Sequence, residues 1–425
     1  MRRISWRLPA LLLTVFVVAG LTFACGDDDD DAAAEPTTTG AAEPLPTEEA
    51  TPVALDPGVT DTEIIIGAHA ALSGPLAIAA AVHEAVGVYF DYINDTEGGV
   101  NGRTIVYEVR DNQWPNAAQA KIVTQQLVEQ VGVFAMLGNL GTVTHLAAVD
   151  YLDEQGVPDF GVISGATVFV DPVRRYTFAG LPSYVTEGQT MATYVNDNLP
   201  AARAGILFEN DDLGRGYIEG FEEAFNGEIV RQEAYEAAET DTSSQVASLL
   251  DAGADVIILA CTAQPCASAI RSARDAGSDV QFIMSGTNAI SIMFLLVGGP
   301  ANLDGTIVNA YLKDICQTDD PAVQRHIEIM EAAGLTPSYF TIGGQVLAEL
   351  FIENLKLAGD PPTREGLIAA AESTTDLVIG LLPGPVSTSP TDHRPLETFQ
   401  IARADGATGC FVPIGDPVSF ESTTQ

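Results

Sequence analysis

From Val59 onward, runs of apolar residues alternate with segments whose apolar positions recur every three to four residues. Glu63-Ile64-Ile65-Ile66-Gly67 reads as a short strand, and Ala77 to Asn94 sets Val82, Val86, Tyr89, Phe90 and Ile93 on one helix face. Gly98-Gly99-Val100-Asn101-Gly102-Arg103 supplies a turn before a strand at Thr104 to Arg110, and Asn116 to Gln130 gives the next helix. Further strands are predicted at Val133 to Leu137, Ala204 to Phe208, Val256 to Ala260 and Phe282 to Met284. Helices are predicted at Glu187 to Asn198, Gly214 to Phe225, Ser243 to Asp251 and Ala267 to Ala276. Apolar strands separated by helices imply parallel sheets covered on both faces. The expected class is α/β with doubly wound lobes.

The N-terminal segment breaks this pattern. Met1 to Cys25 carries Arg2, Arg3 and Arg7, then an apolar run from Leu8 to Ala24 interrupted by Pro9, then small residues, which is the pattern of a signal peptide. The run is shorter and more interrupted than the roughly 20 apolar residues of a membrane span. Leu21-Thr22-Phe23-Ala24-Cys25 resembles a bacterial lipoprotein box, which implies that Cys25 is acylated and becomes the mature N-terminus; cleavage without lipidation is the alternative. Residues 26–59, rich in Asp, Ala, Thr, Pro and Glu, have almost nothing large and apolar to bury and are expected to be a disordered linker.

A chain of 425 residues exceeds one typical core and suits two lobes plus processing segments. Asp and Glu number 58 against 19 Lys and Arg, a formal charge of -39, so phosphate backbones are repelled and nucleic acid is an unsuitable partner. With Cys25 lipidated, Cys261, Cys266, Cys316 and Cys410 remain, an even number in an oxidising compartment. Cys261 and Cys266 enclose the short segment Thr-Ala-Gln-Pro that a bridge could pin, which would leave Cys316 and Cys410 as a second pair; the connectivity stays open. No His lies near these cysteines at zinc-ligand spacing, so no metal site is expected.

Parallel sheets bind ligands at the carboxyl ends of their strands. Three loops expected there are small and hydroxylated: Ala71-Leu72-Ser73-Gly74-Pro75, Gly138-Asn139-Leu140-Gly141-Thr142-Val143-Thr144, and Ser164-Gly165-Ala166-Thr167. Their hydroxyls either cap the following helices or face a ligand. Trp114, on a loop after a strand, is equally suited to a core or a pocket wall. No Gly-x-x-x-x-Gly-Lys-Ser/Thr loop and no Gly-x-Ser-x-Gly elbow is present, and the five histidines show no metal-ligand spacing. Neither an enzyme nor a cofactor is expected.

Ile66-Gly67 with Ala71-Leu72-Ser73-Gly74-Pro75, Tyr92-Ile93-Asn94 with Gly98-Gly99-Val100-Asn101-Gly102-Arg103, and Asp111 with its downstream helix together resemble the extracellular substrate-binding proteins of branched-chain amino acid ABC transporters. The likeness runs from about Thr62 to about Phe411 and implies the type I periplasmic binding fold, leucine-binding-protein-like, two lobes joined by a three-stranded hinge. Residues 60–182 and 306–388 would form lobe one, and 183–305 and 389–425 lobe two. In such proteins backbone N–H groups and hydroxyls of lobe one hold the ligand carboxylate. These fall on Thr142, Gly165 and Thr167, with Ser73, Gly141 and Ala166 in the same loops.

Where the family has an aromatic lid, a second-lobe tyrosine and an ammonium-binding acid, this chain has Ala79, Leu213 and Gly286. Tyr184, Asp211, Thr262 and Asn288 stand near enough in the pattern to substitute. The resemblance therefore implies a monomeric, lipid-anchored, extracytoplasmic protein. It would capture a small molecule (an amino acid, amide or related carboxylate) and deliver it to the permease of an ABC importer. A ligand sensor for a membrane signalling partner is the alternative.

Overall fold

The computed structural model describes residues 55–420, so Cys25 and nearly all of the expected linker lie outside the described residues. The linker was expected to run to 59, but the fold begins earlier. Asp56 accepts a hydrogen bond from the Arg364 backbone N–H, Val59 is buried, and Gly58 lies so close to the Val133–Phe134 backbone that a Cβ there would sit 2.2 Å from the Phe134 nitrogen. Its φ of +79° independently favours glycine.

Five parallel strands form the first sheet: β1 (Glu63–Ala70), β2 (Thr104–Asp111), β3 (Ala135–Leu137), β4 (Asp159–Val162) and β5 (Thr177–Ala179), in the order β2-β1-β3-β4-β5. The second sheet contains β6 (Ala204–Glu209), β7 (Ile229–Tyr235), β8 (Val256–Ala260), β9 (Gln281–Met284) and β10 (Ile307–Ala310), paired as β7-β6-β8-β9-β10. This repeats the order of the first. An antiparallel edge of β11 (Thr398–Asp405) and β12 (Cys410–Pro413) extends it beyond β10. The central strands carry few polar side chains because helices cover both faces; β8 is buried at every position. Full burial of Ile64 and Ile66 in β1 stabilises the first lobe by about 2 kcal/mol each.

The chain passes between the sheets three times: after β5, after β10 and before β11. Strand β10 pairs with β9, so Ile307 to Ala310 belong with the second sheet, and the return to the first lobe follows Ala310 rather than preceding Thr306. The helix Tyr339–Leu357 then packs on Ala80–Glu97 of the first lobe. Both disulfides expected from the cysteine count are formed, Cys261–Cys266 and Cys316–Cys410. Cys266 stands not in an open loop but in the first turn of the helix Ala263–Asp275, whose N-cap position is Thr262. Among the described residues, no helix is long and apolar enough to cross a membrane.

Candidate functional site between the lobes

The carboxyl ends of β3 and β4 in one sheet and of β6, β8 and β9 in the other open onto a cavity of about 630 Å³, partly continuous with solvent. Trp114, Gly141, Thr142 and Tyr184 line it, as do Asp211, Thr262 and Asn288. A second cavity of about 520 Å³, reaching toward Tyr311 and Tyr339, shares Ala79, Leu140, Ile163, Leu181, Thr287 and Phe340 with the first.

Ser73, Gly165, Ala166 and Thr167 are not on the walls. Ser73 is exposed and donates its hydroxyl to Asp111 at 2.6 Å, closing the turn after β1. The Thr167 carbonyl accepts the N–H groups of Val170 and Asp171 in a tight turn, and the Ala166 N–H is directed to the Ser164 hydroxyl at 3.3 Å. Gly165 was expected to leave its N–H open for a ligand, but the Tyr184 ring covers it: a Cβ on Gly165 would lie 2.7 Å from that ring and 2.1 Å from the Pro182 carbonyl. Burial pushes the Tyr184 phenol up to about 12, against the opposing pull of hydrogen bonding with Gly165, Ser164 and Thr142. Thr142 and Ser164 are themselves paired at 2.8 Å. The Tyr184 ring stacks on Tyr217 at 5.0 Å, so a side chain from the second-lobe helix Tyr184–Asn198 has its hydroxyl among the first-lobe donors.

Trp114 serves as both core and wall, only 4% exposed. Gly141, at φ +102°, leaves room for it; a Cβ there would lie 2.7 Å from the indole ring. Asn288 lines the cavity, yet its amide nitrogen is directed to the Cys261 carbonyl at 2.7 Å and braces that wall. Beneath the Gly138–Thr142 loop runs a buried polar chain. Asn112 Nδ2 faces His69 Nδ1 at 3.1 Å, His69 Nε2 faces His145 Nδ1 at 3.1 Å, and His145 Nε2 meets Asp159 at 2.8 Å. Burial, then the neighbouring His145, holds His69 well below its ordinary range, so its ring is neutral and bridges Asn112 and His145. Asn112 also donates to the Leu140 carbonyl at 2.9 Å, tying this chain to the cavity wall. Seventy-six residues separate the two histidines, and nothing in their spacing announces the pairing.

Glu209, the last residue of β6, is a charged wall residue that sequence reasoning missed. It is buried, and its Oε2 accepts the Tyr235 hydroxyl at 2.7 Å, while that hydroxyl in turn accepts the Thr262 N–H at 3.0 Å. Asp211 caps the helix Asp212–Ala224 through the N–H groups of Leu213 and Gly214. Burial, then the Asp211 charge, pushes Glu209 up to about 8. Burial also raises Asp211, against the two N–H groups that favour its ionised form, so Glu209 is the better holder of a shared proton. The one gathering among the described residues with metal-ligand geometry, Asp314 with Cys316 and Cys410, has both sulfurs tied in a disulfide.

A profile for the family described as periplasmic binding protein matches residues 63–409. The chain belongs to that family. Among its curated relatives, the Leu/Ile/Val-binding protein homolog 1 of Brucella suis is 22% identical over 307 residues, 71% of this chain and 81% of the relative. Two solved periplasmic binding proteins share the fold. A branched chain amino acid ABC transporter protein from Thermus thermophilus with bound valine is 20% identical, covering 85% of this chain and 98% of that one at a TM-score of 0.76. A fatty acid ABC transporter substrate-binding protein from Thermomonospora curvata is 22% identical, covering 87% and 95%, also at 0.76.

Proposed function

We propose that this periplasmic binding protein captures a small amphipathic solute in the interlobe cavity and hands it to the permease of an ABC importer. The observation that carries the reading is the cavity itself: the strand ends of two like-ordered sheets converge on it, and its walls are mainly apolar. The names of the relatives support it, since valine and a fatty acid share an apolar body beside one polar end. Thr142, Tyr184, Glu209, Asp211 and Thr262 supply the polar contacts. The signal-peptide pattern supports an extracytoplasmic protein, with lipid on Cys25 as its membrane anchor and a monomer as its working form.

Ala79, in the helical turn Ala77–Ala79, lines both cavities and is 4% exposed, so Ala79→Trp fills them from outside either sheet. Mass spectrometry of solute released from the purified protein identifies the ligand. The variant is expected to lose that ligand while keeping wild-type circular dichroism. A folded Ala79→Trp protein that binds as tightly as wild type would overturn the assignment. Mass mapping of the mature N-terminus tests the anchor, with a diacylglyceryl group on Cys25 as the expected finding and an unmodified start elsewhere as the refutation.

A further inference from the structure

The cavity is electrically one-sided. Among the described residues its only charged wall residues are Glu209 and Asp211, both from the second lobe, and no Lys, Arg or His lines it or the adjoining cavity. On the first-lobe side, the hydroxyls that would hold an anion are already engaged. Thr142 and Ser164 pair with each other, and the Tyr184 ring covers Gly165 with its hydroxyl interacting with all three. On the second-lobe side, the N–H groups of Leu213 and Gly214 point at Asp211, and that of Thr262 points at Tyr235. Between these ends the surface is mainly apolar, with Leu140, Ile163, Leu181 and Phe340 along it.

We infer that the captured solute is an apolar molecule carrying an amino group, held with its ammonium against Glu209 and Asp211 and its body along Leu140, Ile163, Leu181 and Phe340. The inference rests on the capture reading above and names the polar end which that reading leaves open. One proton between the two carboxyls leaves the pair a single net negative charge, which matches one ammonium. An ammonium entering here exchanges water for two carboxyl acceptors within a wall that also carries Trp114 and Tyr184. A carboxylate entering the same space would lose its water beside a net negative charge, with no base to compensate. Tyr184 is then a specificity determinant, because its phenol stands where an incoming carboxylate would otherwise find Thr142, Ser164 and the Gly165 N–H.

The test is calorimetric titration of the purified protein, freed of bound solute, with phenethylamine and hexylamine beside their carboxylate counterparts hydrocinnamate and heptanoate. The amines are expected to bind and the carboxylates not. In the Glu209→Gln/Asp211→Asn double variant, whose Asn still caps the helix, amine affinity should fall about tenfold or more while the unfolding midpoint is held. Tyr184→Ala, which removes ring and hydroxyl together, uncovers the first-lobe donors and should weaken the exclusion of the carboxylates. Carboxylates binding wild type as well as the amines, or an amine affinity indifferent to the double variant, would overturn the inference. Absence of amine binding would overturn it too. In each of these cases the capture reading still stands or falls separately, on whether Ala79→Trp abolishes retention of the natural solute.

Discussion

Glu187 lies behind the cavity wall rather than on it, and its burial makes a measurable prediction. Its side chain is 1% exposed; one carboxyl oxygen accepts the Tyr217 hydroxyl at 2.6 Å and the other accepts the Gly286 N–H. Burial, against the pull of those two donors, pushes it up to about 7 from 4.5. The native carboxyl therefore keeps its proton where the unfolded one has lost it, so stability falls as the pH rises from about 4.5 to about 7 and then levels off. At roughly 1.4 kcal/mol per pH unit, the full loss is about 3 kcal/mol, of which about 2.5 falls between pH 5 and pH 8. Glu187→Gln imitates the protonated form, its oxygen accepting from Gly286 and its nitrogen donating to Tyr217. Other buried carboxyls, such as Glu209, Asp314 and Glu349, titrate alike in both proteins and cancel in the difference. Urea unfolding of wild type and variant at pH 5 and pH 8 should show the variant gaining about 2.5 kcal/mol relative to wild type across that interval. A difference that does not change with pH would refute the reasoning.

Arg364 donates to the carbonyls of Val133, Phe134 and Gly156, stitching the helix Arg364–Glu372 to the segments that lead into β3 and β4, so Arg364→Met should destabilise by about 3 kcal/mol in urea unfolding while leaving ligand affinity unchanged. A change under about 0.5 kcal/mol would show those carbonyls to be satisfied without it. The disulfides close loops of very different length, 94 and 5 residues apart, so on chain entropy replacing Cys316 and Cys410 by Ala should cost about 4 to 5 kcal/mol and replacing Cys261 and Cys266 about 2. Reversed ranking in thermal unfolding would mean that local packing, not loop closure, sets their worth.

Strands buried on both faces, such as β1 and β8, announce themselves as apolar runs, which is why the α/β alternation was legible along most of the chain. The three- and four-residue strands β4, β5 and β10 are too short for any period to show, and β7 is an edge strand with exposed Arg231 and Gln232. The boundary error at Thr306 follows from missing β10. The strand-end rule pointed to the Thr142 loop and the family pattern to Asp211, Thr262 and Asn288, and they share one surface because strand-end convergence is a property of the topology. Phe340, Thr287 and Leu181 were not legible, since two of them arrive with the chain crossings. Tyr184 was singled out as a ligand contact, but its position over Gly165 depends on two segments meeting across the hinge.

Cys410 belongs to the edge strand β12, and Cys316 lies six residues beyond the end of β10. The bond between them rivets the start of the passage after β10 to the second lobe, so Tyr311 to Cys316 move as part of that body. Of the three passages, only those after β5 and before β11 are unpinned at this end. A closing of the lobes around a solute would then turn about an axis nearer those two passages than the one after β10, like a door hung on two leaves. Reducing this bond should loosen the direction of the swing without altering a single wall of the cavity.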